Sequence, residues 1–155
     1  MAIKKSIVPK DFEIPGILAT DQFKLSPLTI DDVDQDYQAI MNSLDHLRGV
    51  FGERSTWPSP DLTRKQDLID LGWHQKEFQM RSSFTYKVTS LDAKEYLGCV
   101  YILPSRNEGT DVDIFMWVTQ EAFGKGLDLM LFEAVKKWIQ KKWSFNKVRY
   151  PGREK

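Results

Sequence analysis

From Asp111 to Val118 the chain reads Asp-Val-Asp-Ile-Phe-Met-Trp-Val, and soon after come Gly124, Lys125, Gly126 and a long amphipathic stretch. Alternation puts Val112, Ile114, Met116 and Val118 on one face and Asp111, Asp113, Phe115 and Trp117 on the other, the two-residue period of a strand. Both faces carry bulk, which predicts a central strand. Beyond it, Leu127, Met130, Leu131, Ala134, Val135 and Trp138 recur at three-and-four spacing, predicting a helix over 127–142 that lies on a sheet. Strand, glycine turn and helix in this order make an anion-binding device. The glycines let the backbone turn tightly, and the free N–H groups and dipole of the helix start attract phosphate. Two glycines alone would mean only a turn; the elements around them point to a ligand.

The rest of the chain supplies partners for that strand. Residues 1–20 mix charge, prolines and scattered apolar side chains and read as an arm that packs loosely or makes an edge contact, followed by one domain over 21–155. Gln22–Leu28 reads as a strand, and Thr29-Ile-Asp-Asp caps a helix from about Asp31 to Asn42 with Val33, Tyr37, Ile40 and Met41 as its buried stripe. Residues 43–60 are irregular and aromatic. Thr63–Arg81 is helical, with Leu68, Leu71 and Phe78 toward the core. Ser83–Ser90 and Glu95–Leu103 are strands joined by a short polar link, residues 91–94, and Pro104–Gly109 makes the next turn. A last short strand spans about Asn146–Tyr150, parallel to strand 111–118 because a helix crosses between them. The fold class is α/β (α+β), a mixed, mostly antiparallel central sheet flanked by helices.

Composition narrows the functions. Lys plus Arg and Asp plus Glu both number 22, so no net field gathers nucleic acid. No apolar run approaches membrane-spanning length and no signal peptide is visible, so a cytoplasmic protein with no membrane partner is expected. Cys99 is the sole cysteine and lies in an apolar run, which fits burial rather than catalysis. His46 and His74 are isolated, and no metal-ligand spacing appears, so no metal is expected.

The pattern resembles the GNAT acetyltransferase family over about Phe23–Tyr150. The resemblance rests on Phe23-Lys-Leu-Ser-Pro-Leu-Thr, Tyr96-Leu-Gly-Cys-Val-Tyr-Ile, Asp113-Ile-Phe-Met-Trp-Val and the Gly124-Lys-Gly-Leu helix start, in that order. It implies a GNAT-like acyl-CoA N-acyltransferase fold and acetyl-CoA as cosubstrate. It also implies a pyrophosphate held by Phe123, Gly124, Lys125 and Gly126, and a pantetheine arm paired with the backbone of Trp117, Val118 and Thr119. Two departures stand out. Glu121 occupies the place where the family's loop has Arg or Gln, and a carboxylate there repels pyrophosphate unless it points away. The chain ends soon after strand 146–150, where typical members continue with a helix and two strands, so either the sheet is shorter or a second copy covers its open edge as a homodimer.

Acetyl transfer to an amine needs a base for the ammonium, a donor to the thioester oxygen and an acid for the leaving thiolate. The resemblance assigns the base to Asp113, where many members place a glutamate, and the acid to Tyr150, with Tyr101 as second choice. Residues 44–60 are the expected acceptor pocket: His46 and Trp57 offer an aromatic wall, and Arg48 and Arg54 suit an amine that also carries a carboxylate or phosphate. The expected function is direct transfer of acetyl from acetyl-CoA to a primary amine of a small molecule or peptide. The alternatives are a catalytically silent GNAT-like module that acts through protein contacts and an unrelated α/β binding domain.

Overall fold

The computed structural model describes residues 5–154; the first four residues of the expected arm, and Lys155, lie outside the described residues. Its strands are β1 (Leu18–Ala19), β2 (Lys24–Pro27), β3 (Phe84–Thr89), β4 (Tyr96–Pro104), β5 (Val112–Val118) and β6 (Val148–Arg149), with helices α1 (Val33–Met41), α2 (Leu44–Leu47), α3 (Arg64–Met80), α4 (Gln120–Gly124) and α5 (Leu127–Lys142). The strands form one six-stranded sheet in the order β1-β2-β3-β4-β5-β6. Neighbours are antiparallel except β5 and β6, which run parallel as the intervening helix requires.

Alternation along the strands builds a core on each face. Ile114, Met116 and Val118 meet Leu131, Val135 and Trp138 of α5 on one side, together with Phe84 and Tyr86. On the other side Cys99, Tyr101 and Trp117 meet Val33 and Ile40 of α1 and Leu71 of α3. The stripe of α3 differs from the predicted one in one position. Leu68 is 36% exposed, whereas Asp67 is 2% exposed and Leu71 likewise 2%. The face that packs inward is therefore Asp67, Leu71, His74 and Phe78, at the same helical spacing but with a carboxylate in place of a leucine.

The N-terminal segment is fastened rather than loose. Leu18 pairs with Leu25 at the sheet edge, the Arg81 guanidinium donates to the carbonyls of Pro9 and Phe12, and the Tyr86 hydroxyl donates to that of Pro15. Ahead of α1, Thr29 and Asp32 cap a short 3-10 turn reciprocally, and Asp32 also binds Lys87 of β3 at 2.6 Å. The expected irregular stretch after α1 contains the one-turn helix α2, and the expected glycine loop begins with α4, capped by Thr119.

Close approach of β4 and β5 depends on Gly98. It stands opposite Val118, and a Cβ at this position would lie 2.0 Å from the Trp117 carbonyl oxygen. Gly98→Ala must push β5 away from β4 at the end nearest α4. A loss of about 2–3 kcal/mol is expected, read as a melting temperature lower by roughly 5–10 °C; an unchanged melting temperature would show that the strands have room to part.

Candidate functional site

Pairing between β5 and β6 is confined to Val112 with Val148 and Asp113 with Arg149. The Asp111 carboxylate fixes this junction by accepting from the backbone N–H groups of Asn146 and Lys147 at 2.7 and 3.0 Å, bonds that hold its pKa below the usual carboxylate range. Beyond Asp113 the two strands part, and Met116 to Val118 have no strand on that side. Backbone groups alternate sides along a strand. The Thr119 N–H donates to Leu97 of β4, so the N–H and C=O of Val118 point into the opening.

At the head of the opening stands α5. Its N-cap is Gly126, in the left-handed region at φ 82°, and no side chain caps the helix. The amides of its first turn, Leu127 to Leu129, thus lack a side-chain acceptor. The amides of Phe123, Lys125 and Gly126 instead donate within the turn, to Thr119, Ala122 and Phe123 respectively. Glu121 is exposed and lies 3.4 Å from the Lys125 ammonium, which moderates its charge at the loop. A groove of about 900 Å3 runs past this loop, lined by Thr119, Gln120, Gly124, Lys125 and Leu127 and by Gln38 and Asn42 of α1.

Two expected catalytic residues flank the parting point. Asp113 sits at the junction itself, 18% exposed, with Oδ1 3.9 Å from the Arg149 guanidinium. Tyr150 follows β6 on the other arm, buried against Phe132, and burial pushes its hydroxyl up to about 12. Passing that proton to a thiolate of ordinary pKa, about 8.5, is uphill by roughly 5 kcal/mol. Arg153, just beyond, donates to both oxygens of Asp128 at 2.8 Å and to the Met116 carbonyl at 3.1 Å, crossing the opening.

The expected acceptor residues do not converge. His46 packs edge-on against Phe123 at 4.7 Å, Arg48 pairs with exposed Asp45, and Arg54 is exposed. Trp57 alone lines a second cavity, of about 350 Å3, between α1, α3 and β4.

That second cavity holds the groups that the sequence pattern hid. Asp36 and Asp67 are each 2% exposed and hydrogen-bonded to one another, so they share a proton. Burial first, then the Asp36 carboxylate, pushes Asp67 up to about 9; burial also raises Asp36, against hydrogen bonds from Asp67, Tyr96 and Cys99. The Tyr96 hydroxyl donates to Asp36 at 2.5 Å and lies 3.0 Å from the Cys99 sulfur. Burial lifts the Cys99 thiol well above its usual range, so it holds its proton and is no nucleophile. Nearby, Trp117 Nε1 donates to the Tyr101 hydroxyl at 2.9 Å, and Thr85 meets His74 Nδ1 at 3.3 Å. The signal was present: Asp36 falls three after Val33 and four before Ile40, on the apolar stripe of its helix.

Solved structures are similar to this one in fold. A protein from Bordetella pertussis assigned to the GnaT-family acetyltransferases gives a TM-score of 0.63 at 19% identity, covering 82% of this chain and 74% of that one. A ribosomal-protein-alanine acetyltransferase from Vibrio fischeri gives 0.64 at 14% identity, covering 82% and 68%. RimL, a ribosomal alpha-N-protein acetyltransferase in complex with coenzyme A, gives 0.64 at 12% identity, covering 81% and 69%. No family model matches the sequence, and no curated protein matches it. The chain has the GNAT acyl-CoA N-acyltransferase fold, as the order of its motifs led one to expect.

The buried acid pair makes stability depend on pH. Asp67 has a higher pKa folded than unfolded, so the native state binds more protons between about pH 4 and 9 and loses stability as pH rises through that window. Asp67→Asn removes this titration. Melting curves at pH 5 and 8.5 should show a smaller fall for the variant than for the wild type, by roughly 2 kcal/mol; parallel curves would mean that Asp67 titrates normally.

Proposed function

We propose that this protein is a divergent GNAT-type acetyltransferase that moves an acetyl group from acetyl-CoA directly to a primary amine. The observation that carries the proposal is the bare edge of β5 from Met116 to Val118, leading to the uncapped start of α5. An extended ligand can pair with that edge as an added strand, and an anion at its far end meets free N–H donors. The donor set fits coenzyme A on both counts.

Acetyl-CoA supplies the activated acetyl group. Val118 would pair with the pantetheine backbone, whereas the backbone groups of Trp117 and Thr119, which the resemblance also assigned to it, turn toward β4 and α4. The first turn of α5 and the Lys125 ammonium would hold the pyrophosphate, because the amides of Phe123, Lys125 and Gly126 are already engaged within the turn. This orients the thioester toward Asp113, at the point where β5 and β6 separate. Asp113 accepts the proton of the incoming ammonium, whose ordinary pKa is about 10. Tyr150, on the opposite arm, would act on the departing sulfur chiefly by positioning it, because its raised pKa makes it a poor proton donor. Cys99, buried and protonated, is not a nucleophile for an acyl-enzyme. Coenzyme A in the RimL structure and the acetyltransferase names of the other neighbours support the same chemistry. The amine acceptor, a cytoplasmic setting and a homodimer belong to this proposal as well. Among the described residues no helix is long and apolar enough to cross a membrane, and no group of three or more His, Cys, Asp or Glu could hold a metal.

A silent binding module is favoured by one contact. Arg153 occupies the Met116 carbonyl in the opening and must swing away before a ligand pairs there. Acetyl-CoA at a hundredfold excess over Kd should stabilise the protein by about 2.7 kcal/mol, several degrees in melting temperature. No shift at millimolar cofactor would make the silent module the function. Asp113→Asn is expected to keep that shift and lose roughly 100-fold or more in turnover; full turnover would dismiss Asp113 as the base.

A further inference from the structure

Strand β6 ends at Arg149, and the chain then turns instead of following β5. Pro151 has no N–H to offer a neighbouring strand, and Gly152 takes φ 81°, a conformation in which a side chain would be strained. The N–H groups of Arg153 and Glu154 both donate to the Tyr150 carbonyl at 3.0 Å, which closes the turn and brings Arg153 back across the opening. Contacts with α5 fasten the segment there. Tyr150 packs edge-on against Phe132 at 5.2 Å, the Arg153 guanidinium lies 5.4 Å from the same ring, and Glu154 meets the Lys136 ammonium at 2.6 Å.

The Arg153 guanidinium divides its donors between a fixed partner and an exchangeable one. Nη1 and Nη2 each donate to an oxygen of Asp128 at 2.8 Å, a two-pronged ion pair in which both side chains are less than a quarter exposed. The remaining hydrogen of Nη2 goes to the Met116 carbonyl at 3.1 Å, the longest of the three bonds. Losing it leaves the ion pair whole. Met116 and Val118 share one orientation on β5, so this carbonyl belongs to the same row as the Val118 groups that face the opening. A ligand pairing along that row as an added strand must donate to the Met116 carbonyl, the atom that Arg153 already occupies.

We propose that residues 150–154 form an autoinhibitory latch, in which Arg153 stands in for the ligand's amide donor at the Met116 carbonyl and acetyl-CoA binds by displacing it. The identity of the ligand rests on the acetyl-transfer proposal. The carbonyl keeps a partner in both forms, because an amide N–H of the pantetheine arm replaces the guanidinium N–H, while Asp128 retains Arg153 beside α5. The exchange lowers affinity, since a charged donor gives way to a neutral one. Apparent affinity then scales with the fraction of molecules whose latch is open. Loosening the contact between Glu154 and Lys136 raises that fraction without touching the opening.

Calorimetric titration with acetyl-CoA at one ionic strength compares three proteins: the wild type, Arg153→Met combined with Asp128→Asn, and Lys136→Gln. The double variant removes the latch together with its counter-charge, so the net charge beside α5 is unchanged. It is expected to bind about tenfold or more tighter than the wild type, equivalent to ~1.4 kcal/mol. Lys136→Gln, which breaks only a surface pair, is expected to bind about twofold tighter. Binding by the double variant with none by the wild type would support the latch equally and make the silent form its closed state. Equal affinity in all three proteins would overturn the latch and leave the acetyl-CoA reading standing. Weaker binding by the double variant would overturn it too, because Arg153 would then be a ligand of the cofactor. No binding by any of the three at millimolar acetyl-CoA would overturn the acetyl-CoA reading and the latch with it. Circular dichroism checks the fold; if the double variant fails to fold, the Lys136→Gln comparison decides, tighter binding supporting the latch and unchanged binding overturning it.

Discussion

Every backbone group of a buried strand needs a partner, and β5 meets that need unequally on its two sides. Along β4 it is paired from Val112 to Val118, whereas β6 covers only Val112 and Asp113. The Asp111 carboxylate pins the start of β6, and nothing of the same kind continues the pairing. The result is a gap with polar edges next to a helix start with polar ends. Such a gap is costly unless something fills it, and in the protein as it stands Arg153 bonds to the Met116 carbonyl across it. Arg153 is itself held by Asp128 in the first turn of α5, so strand edge, helix start and the segment after β6 form one connected arrangement.

Gly98 explains how so narrow a strand pair leads into the loop. With no side chain, it lets β4 approach β5 beside Val118, which sets the direction in which Thr119 and α4 leave the sheet. Thr119 then bonds through its N–H to Leu97 and through its hydroxyl to Ala122, turning the chain at once into α4. Much of the loop's donor capacity is used up in this way. The free donors therefore move one turn along, to the start of α5, where Gly126 offers no side-chain cap.

The opposite face carries a different tension. Placing Asp36 and Asp67 together under α1 and α3 works against the hydrophobic effect, and a shared proton with donors from Tyr96 and Cys99 only partly relieves it. A fold seeking stability alone would place leucines there, as the predicted stripe of α3 had done with Leu68.

Period and order were legible in the sequence because they are local. Alternation from Asp111 to Val118, the three-and-four stripe of α5, the Thr29 cap and the crossover that makes β6 parallel to β5 all arise from neighbours within a few residues. Those features were enough to bring out the fold. Only the tertiary structure decided that Asp36 and Asp67, 31 residues apart in the sequence, meet in one cavity. It also decided that β6 leaves β5 after Asp113, that Arg153 reaches Met116, and that Arg48 and Arg54 line none of the described cavities. The reason is physical: a side chain's helical or strand period fixes which face it occupies. The surroundings of that face, and hence whether a carboxylate there is solvated or buried, are set by segments that the local pattern does not name.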